Sequence, residues 1–405
     1  MPRALPQPPP AAPAPPAPAP AGPLFNLEAV SFGALEGWRD GHPEKGLEAF
    51  RRSCTAMLNR AADAPLGGIG YAGKVTDWED ACRLASVTRT DSPDIARAFF
   101  ERSFVPYRLT QPASEGLFTG YFEPELRGSR TRHGRYQTPL YGVPPDLVRR
   151  DMGVYRDTYI GRMADMIENL MMGAGMRFVP YPARADIERE GIPGPPLFYV
   201  DDPVDAFFLE IQGSGRVVMD DGTVVRAAYA AQNGQPYTPI GAILLERGQI
   251  TREELSYQSI RQWLQTHPVE AREVMDFNAS YVFFAEKPIG DPKLGAVGAQ
   301  GVPLTPIASM AVDRSVHALG VPVWLESAAP DPSTFYGNKP FDTLLVTQDT
   351  GGAIRGVVRG DVYWGYGAEA GLMAGRMKQP GRMTVLLPHE LADRLGARAA
   401  FQAPR

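Results

Sequence analysis

The residues best suited to chemistry are two aspartates near the C-terminal end, Asp349 and Asp361. They lie twelve positions apart in the stretch Gln348-Asp349-Thr350-Gly351-Gly352-Ala353-Ile354-Arg355-Gly356-Val357-Val358-Arg359-Gly360-Asp361-Val362-Tyr363-Trp364-Gly365. Each follows an apolar or glycine-punctuated run that reads as strand, and five glycines from Gly351 to Gly365 loosen the backbone around them. Glycine permits tight turns and close approach of a ligand to the chain. A carboxyl set beside Val362, Tyr363 and Trp364 loses solvation, which favours its neutral form and suits it to donate a proton near neutral pH. The same residues could instead open a turn (Asp349) and cap a strand end (Asp361), so the rest of the chain has to decide.

Three further stretches could supply a polar lining. In Gly116–Pro124, Phe118, Gly120 and Phe122 alternate with Thr119, Tyr121 and Glu123, the period of a half-buried strand with hydroxyls and a carboxylate on its open face. Val204–Gly215 reads as a strand breaking into a glycine turn that presents Gln212 and Ser214, with Asp220-Asp221-Gly222 turning a hairpin beyond it; a plain turn accounts for Gln212 and Ser214 equally well. Asn233-Gly234 repeats the theme beside Tyr237 and Thr238. Thr119, Tyr121, Gln212, Ser214, Tyr237 and Trp364 together offer hydroxyl, amide and aromatic groups, which fit a polar polymer such as a glycan better than a small charged metabolite. The sequence holds no phosphate loop, Gly-x-Ser-x-Gly elbow or dinucleotide fingerprint. Its five histidines stand too far apart for ligand spacing, so neither a metal nor a cofactor is expected.

The chain that must position these groups has 405 residues, 44% of them hydrophobic, enough for two or three domains with real cores. Charge is slightly acidic, 46 Asp plus Glu against 41 Lys plus Arg, which speaks against nucleic acid as a partner. No apolar run approaches the roughly 18 residues of a membrane span. Residues 1–23 carry eleven prolines and read as an extended, disordered tether. Helices are expected over Gly46–Arg60, Thr76–Ser86, from Pro93 after Ser92, over Thr158–Met172 and Arg184–Glu190, from Thr251 through Trp263, and from Pro268. Cys54 and Cys82, each in an expected helix, could form one disulfide or be two small core residues. After Ala279 the chain reads as nearly all β, with strands at Ser280–Ala285, Met310–Val312, Pro322–Leu325, Thr343–Thr347, Gly360–Trp364 and Met383–Leu387; many short strands with long connections suggest a closed barrel.

At this point the chain resembles a known family. Gly116-Leu117-Phe118-Thr119-Gly120-Tyr121-Phe122-Glu123-Pro124, Asp205-Ala206-Phe207-Phe208-Leu209-Glu210-Ile211-Gln212-Gly213-Ser214-Gly215, Asn278-Ala279-Ser280-Tyr281-Val282-Phe283-Phe284, Gly301-Val302-Pro303-Leu304-Thr305-Pro306, Val312-Asp313 and the block around Asp349 and Asp361 occur in the order found in the membrane-bound lytic murein transglycosylase A family, with its C-terminal three-aspartate domain. The resemblance covers roughly residues 30–390. It implies a mainly β fold: a double-psi β-barrel of the barwin/endoglucanase type with helical N-terminal elements, built from residues 24–124 and 288–405, and an inserted β-rich substrate-groove domain over 125–287. It implies a peptidoglycan lytic exotransglycosylase that cuts the β-1,4 MurNAc–GlcNAc bond without water and leaves a 1,6-anhydro end. Asp361 matches the family's single acid/base and Asp349 its supporting aspartate. Thr119, Tyr121, Gln212, Ser214 and Ala353 match groove positions, and Tyr237 joins them as substrate-binding. Glu210 departs from the pattern, standing where an amide is expected and readable as solvent-facing.

The resemblance further implies a monomer that works on peptidoglycan strands in the periplasm, associated with the outer membrane and with other cell-wall enzymes as candidate neighbours. A signal or lipid anchor is not visible in this chain. Two alternatives stay open: a β-1,4-glycan hydrolase using both aspartates and water, and a non-catalytic cell-wall-binding module.

Overall fold

The computed structural model describes residues 25–111, 116–149, 169–173, 177–334 and 337–401. The expected tether over residues 1–23 lies outside them, as does most of the helix expected over Thr158–Met172, whose last residues, from Asn169, run as strand. In chain order the strands are β1 (Phe25–Ala29), β2 (Phe104–Thr110), β3 (Gly116–Glu123), β4 (Glu125–Ser129), β5 (Thr138–Tyr141), β6 (Leu147–Arg149), β7 (Asn169–Gly173), β8 (Arg177–Pro180), β9 (Pro196–Val200), β10 (Ser214–Met219), β11 (Val224–Gln232), β12 (Val282–Pro288), β13 (Ser309–Val312), β14 (Pro322–Pro330), β15 (Asn338–Asp349), β16 (Arg359–Tyr366), β17 (Lys378–Pro388) and β18 (Arg398–Phe401). The helices are α1 (Glu44–Leu58), α2 (Glu79–Val87), α3 (Pro93–Ser103), α4 (Arg184–Glu190), α5 (Pro203–Gln212), α6 (Ile240–Glu246), α7 (Tyr257–Thr266), α8 (Pro268–Asp276), α9 (Gly367–Arg376) and α10 (His389–Leu395).

The molecule is mainly β with some helices. The large sheet runs β14-β15-β13-β16-β3-β17-β2-β1-β18, and a further pairing of β14 with β17 closes six of these strands into a ring. A second sheet, β12-β11-β10-β4-β9-β5, is built from the middle of the chain, and β6-β7-β8 form a small third one. The ring carries the main core, with Phe118, Met310, Val323, Trp324, Val346, Val362 and Val385 among its buried side chains, and Phe50 of α1, Trp78 just before α2, Phe99 and Phe100 of α3 and Phe104 of β2 pack together as an aromatic layer within it. Cys54 of α1 and Cys82 of α2 form a disulfide.

The helix starts follow local chemistry. Ser92 accepts a hydrogen bond from the Ile95 N–H with Pro93 in the first turn, and Ser256 and Ser259 cap one another at the start of α7. That reciprocal cap is why the helix begins at Tyr257 and not at Thr251 as expected from the Thr-Arg-Glu-Glu run. The expected strand over Val204–Gln212 is instead helix α5. Its Asp202 side chain accepts from the Val204 N–H, Pro203 opens the helix, and Gly213 ends it in the left-handed conformation (φ 82°). Val204, Ala206, Phe207, Phe208, Leu209 and Glu210 are all buried, a nearly continuous buried run whose periodicity does not separate helix from strand. Helices α9 and α10 interrupt the all-β tail; α9 turns Ala370, Gly371 and Ala374 inward, and a Cβ at Gly371 would come within 2.9 Å of the Phe122 ring.

Glu210, read above as solvent-facing, is buried instead. Arg184 Nη1 and Nη2 donate to its two oxygens at 3.0 and 2.8 Å, and the Val282 N–H donates to Oε2 at 2.8 Å. The same guanidinium donates to the carbonyls of Asn278 (3.1 Å) and Ser280 (2.7 Å), so one residue ties α4, α5 and the entry to β12 together. Removing one partner of a buried pair leaves an uncompensated charge, which costs about 3–5 kcal/mol. Arg184→Met is therefore expected to lower the unfolding free energy by about that much in urea titrations, with Arg184→Met/Glu210→Leu regaining part of it. A single-variant loss below about 1 kcal/mol would contradict the assignment.

Candidate active site

The two aspartates come together because of strand register. On β16, Asp361 is paired with Thr119 of β3 on one side and Ala311 of β13 on the other; Ala311 in turn pairs with Asp349 of β15, and Thr119 with Lys378 of β17. In-register neighbours share a sheet face, so Asp349, Ala311, Asp361, Thr119 and Lys378 form one row across the ring. Asp349 and Asp361 are two inter-strand spacings apart, about 10 Å between Cα positions. Tyr121 pairs with Tyr363 in the next row, and their rings lie 5.3 Å apart.

A register shift between Met310 and Ala311 places Asp349 in this row: Thr347 pairs with Met310 and Asp349 with Ala311. The extra residue, Gln348, turns into the core, where its amide donates to Ala49 O and Ser53 Oγ, both at 2.8 Å, and its carbonyl accepts from Ser309 Oγ. Helix α1 thus braces the strand end that carries Asp349. Gly120, between Thr119 and Tyr121, runs beneath Trp364; a Cβ there would come within 2.6 Å of the indole nitrogen and 2.8 Å of Ala374 Cα. Trp364, expected among the glycan-facing aromatics, is instead a core residue, stacked on Phe341 at 5.3 Å and donating to Met377 Sδ.

The two carboxyls have unequal surroundings. Asp349 Oδ1 accepts from the Ala299 N–H at 3.0 Å and Oδ2 from the Tyr121 hydroxyl at 2.9 Å. Asp361 Oδ1 accepts from Thr119 Oγ1 at 2.6 Å, and among the described residues Oδ2 has no hydrogen-bond partner. Burial raises Asp361 above the usual carboxylate range; the Arg359 charge and the Thr119 hydroxyl pull it back in part, and the Asp349 charge pushes it up further. Burial also raises Asp349, against the N–H groups of Ala299 and Thr350 and the Tyr121 hydroxyl. Tyr121 is driven far above its ordinary range, by burial first and then by Asp349, so it stays a neutral proton donor to that carboxylate. Arg359, half-buried on the same strand face two residues before Asp361, donates to Thr119 Oγ1 at 2.9 Å and to its neighbour's carbonyl, Gly360 O, at 2.6 Å. The result is one desolvated acid with a free oxygen and a second carboxyl locked by two donors, suited to proton transfer at a single position.

The other expected site residues fall at graded distances from this row. Gln212, at the end of α5, accepts from the Phe122 N–H at 3.1 Å and so joins the second sheet's helix to β3 one residue past Tyr121. Ser214 is engaged by backbone, donating to Gly213 O and accepting from the Tyr229 N–H. Ala353 is exposed in the loop between β15 and β16, which Asp313 braces by accepting from the Gly356 N–H at 2.8 Å. Tyr237 is 39% exposed in the loop before α6, and no described hydrogen bond or ring contact joins it to the aspartates.

Glu123, expected on the open face with Thr119 and Tyr121, is instead 2% exposed. It accepts from Arg226 at 2.7 and 3.2 Å and from the Tyr363 hydroxyl at 3.2 Å, with Arg216 at 3.8 Å, so it links the ring to the second sheet. Three contributors carried no sequence reading: Arg359, whose signal was its two-residue offset from Asp361; the Ala299 N–H, which comes from a loop fifty residues away and left none; and the Arg216–Arg226 pair. The Thr119 hydroxyl stabilises the carboxylate form of Asp361, so Thr119→Val should raise its proton affinity. Followed by carbon NMR of labelled aspartate, the Asp361 carboxyl is expected to titrate at higher pH in that variant; an unchanged or lower value would contradict the arrangement.

Comparison with known proteins agrees with this architecture. The MltA specific insert domain matches residues 117–285 and the 3D domain matches residues 308–387. A membrane-bound lytic murein transglycosylase A of Escherichia coli (strain K12) is 33% identical over 271 residues, 66% of this chain and 65% of its own length, so the match spans a little under two-thirds of that relative. The crystal structure of a membrane-bound lytic murein transglycosylase from Agrobacterium tumefaciens superposes with a TM-score of 0.79 at 33% identity, covering 91% of this chain and 99% of that one. E. coli MltA with bound chitohexaose superposes with a TM-score of 0.62 at 27% identity, covering 91% and 96% of the two chains. On these grounds the chain belongs to the membrane-bound lytic murein transglycosylase A family.

Proposed function

We propose that this chain is a lytic transglycosylase that cleaves the β-1,4 bond between MurNAc and GlcNAc in peptidoglycan, with Asp361 acting first as acid and then as base. The observation that carries the reading is the inequality of the two aspartates. Asp361 is desolvated and keeps one oxygen unbonded among the described residues, whereas both oxygens of Asp349 are held. In the proposed cycle Asp361 protonates the glycosidic oxygen as that bond breaks. Its carboxylate then takes the proton from the C6 hydroxyl of the same sugar, whose oxygen bonds to the anomeric carbon and closes the 1,6-anhydro ring. The nucleophile is intramolecular, so its translational entropy is already spent and no bound water is required. A two-carboxylate hydrolase would need Asp349 free to activate water, which its bonds to Ala299 and Tyr121 oppose.

The bound chitohexaose of the E. coli relative supports a β-1,4 glycan as the partner here, lying along the row from Asp349 to Lys378. Among the described residues a Cβ at Gly352 would meet only open space, so this turn leaves room for a glycan to pass close to the backbone. In this reading the six-stranded ring is a double-psi barrel formed from residues 24–124 and 288–405, and residues 125–287 form the inserted groove domain. Thr119, Tyr121, Gln212, Ser214, Tyr237 and Ala353 serve substrate binding, Tyr121 and Gln212 chiefly by holding the groove's shape. The protein acts as a monomer in the periplasm, associated with the outer membrane, and the Cys54–Cys82 disulfide suits that oxidising compartment.

Asp361→Asn is expected to reduce cleavage of purified sacculi by about 10²–10⁴-fold while sacculus binding persists. Because burial disfavours the Asp361 charge, the variant should melt at or above the parent temperature at neutral pH. Asp349→Asn should retain more activity than Asp361→Asn. Retention of a tenth or more of the parent rate by Asp361→Asn would overturn the assignment.

A further inference from the structure

A second site adjoins the Asp349 end of the row. The Ala299 N–H that holds Asp349 belongs to a residue that also lines a cavity of about 340 Å³, with Ala56, Met57, Arg60, Leu66, Gln300, Arg314, His317 and Leu319 among its other walls. That volume falls at the lower end of small-ligand pockets, roughly 300–1,000 Å³. No wall residue is acidic, and the two charged ones are arginines.

Those arginines are poorly satisfied within the chain. Arg314 is exposed and has no hydrogen bond or ion pair among the described residues, and the only described partner of exposed Arg60 is the Pro65 carbonyl. Beside Arg314 in sequence, Asp313 is engaged elsewhere: it accepts from Ser315 N and Oγ and from Gly356 N. His317 adds no charge, because burial pushes it down to about 4, and its ring is held by the Tyr71 hydroxyl and the Val357 carbonyl. Met57, Leu66, Ala318 and Leu319 give the cavity apolar walls. The larger cavity, about 720 Å³ and lined by Glu36, Glu326 and Arg382, differs, since there Glu326 already pairs with Arg108 and Arg382, and Arg382 with Glu36.

Two guanidinium groups over apolar walls, with no competing acid, fit a ligand with a carboxylate on a short aliphatic body. Wall glycans carry short peptides of that chemistry beside the bonds to be cut. We propose that this cavity is a subsite for the carboxylate-bearing peptide of a peptide-substituted glycan strand, which makes the groove selective for substituted over bare glycan; this rests on the function proposed above. Arg60 and Arg314 bind the carboxylate, and Ala299 couples the subsite to the Asp349 support of the catalytic row.

The test measures binding in the Asp361→Asn chain, so that strands stay intact. The probes are peptide-bearing glycan strands and the same strands stripped of peptide by an amidase, with the lactyl carboxylates so exposed capped as methylamides to leave no carboxylate on the control. Arg60→Gln/Arg314→Gln is expected to weaken peptide-bearing strands about tenfold, the worth of one charged hydrogen bond, and to leave stripped strands within about twofold. Arg314→Gln alone, which breaks no described contact within the chain, should show the same selectivity at smaller size and so separates recognition from misfolding. Equal weakening of both strands, or of neither, overturns the proposal. Cleavage of stripped strands by the unaltered chain is followed in parallel: if it persists while peptide selectivity is missing, only the subsite fails, and if no strand is cleaved, the functional reading fails with it.

Discussion

The structure turns on the in-register parallel pairing of β3 with β16. This pairing joins residues some 240 positions apart and sets the Thr119 hydroxyl 2.6 Å from the Asp361 carboxyl. A slip of one residue would turn Thr119 and Tyr121 into the core and bring Phe118 and Gly120 to the row. The register is held by close packing: Gly120 leaves room for Trp364, and an added Cβ would come within 2.9 Å of the Phe118 ring at Gly381 and within 2.3 Å of Met310 Sδ at Gly360. A half-buried acid is costly to keep ionised, and that cost is what tunes Asp361 toward proton donation. The strand pairing therefore sets both the position and the proton affinity of one group.

The same strand fixes the second sheet. At its far end Glu123 is buried with Arg226, Arg216 and the Tyr363 hydroxyl, and both arginines also donate to the Leu294 carbonyl. Immediately beyond, Gln212 takes the Phe122 N–H, and the Arg216 N–H donates to Pro124 O as β4 begins. A buried ionic cluster is weak evidence for net stability, but removing one partner leaves an uncompensated buried charge and is costly. Here the cluster ties the sheet that bears Ser214 and Arg226 to the ring through partners buried on both sides.

How much of this was legible in the sequence depends on where the determinant lies. Helices with side-chain caps next to proline, such as α3, and strands with two-residue alternation, such as β3, were readable because their signals are local. Thr119 and Tyr121 were readable as one face of a strand, and Asp349 and Asp361 as carboxyls in glycine-rich, strand-like runs, but their meeting in one row depends on register between distant strands. Helix α5 was misread as strand because a nearly continuous buried run erases its period. Glu123, Glu210 and Trp364 were placed on the surface or in the groove by residue type alone, whereas their partners Arg226, Arg184 and Met377 come from other parts of the fold. The Gln348 bulge, the Ala299 contact and the arginine-lined cavity arise only when distant loops meet, and nothing local announces them.

The central claim is that one aspartate suffices because the substrate supplies its own nucleophile and water stays out of the reaction. The most direct test is to digest purified peptidoglycan with this chain in heavy-oxygen water and to analyse the new glycan ends by mass spectrometry. The account predicts 1,6-anhydro ends, one water lighter than hydrolytic ends and free of the heavy isotope. Reducing ends carrying one heavy oxygen would contradict it and return Asp349 to the role of a hydrolytic base.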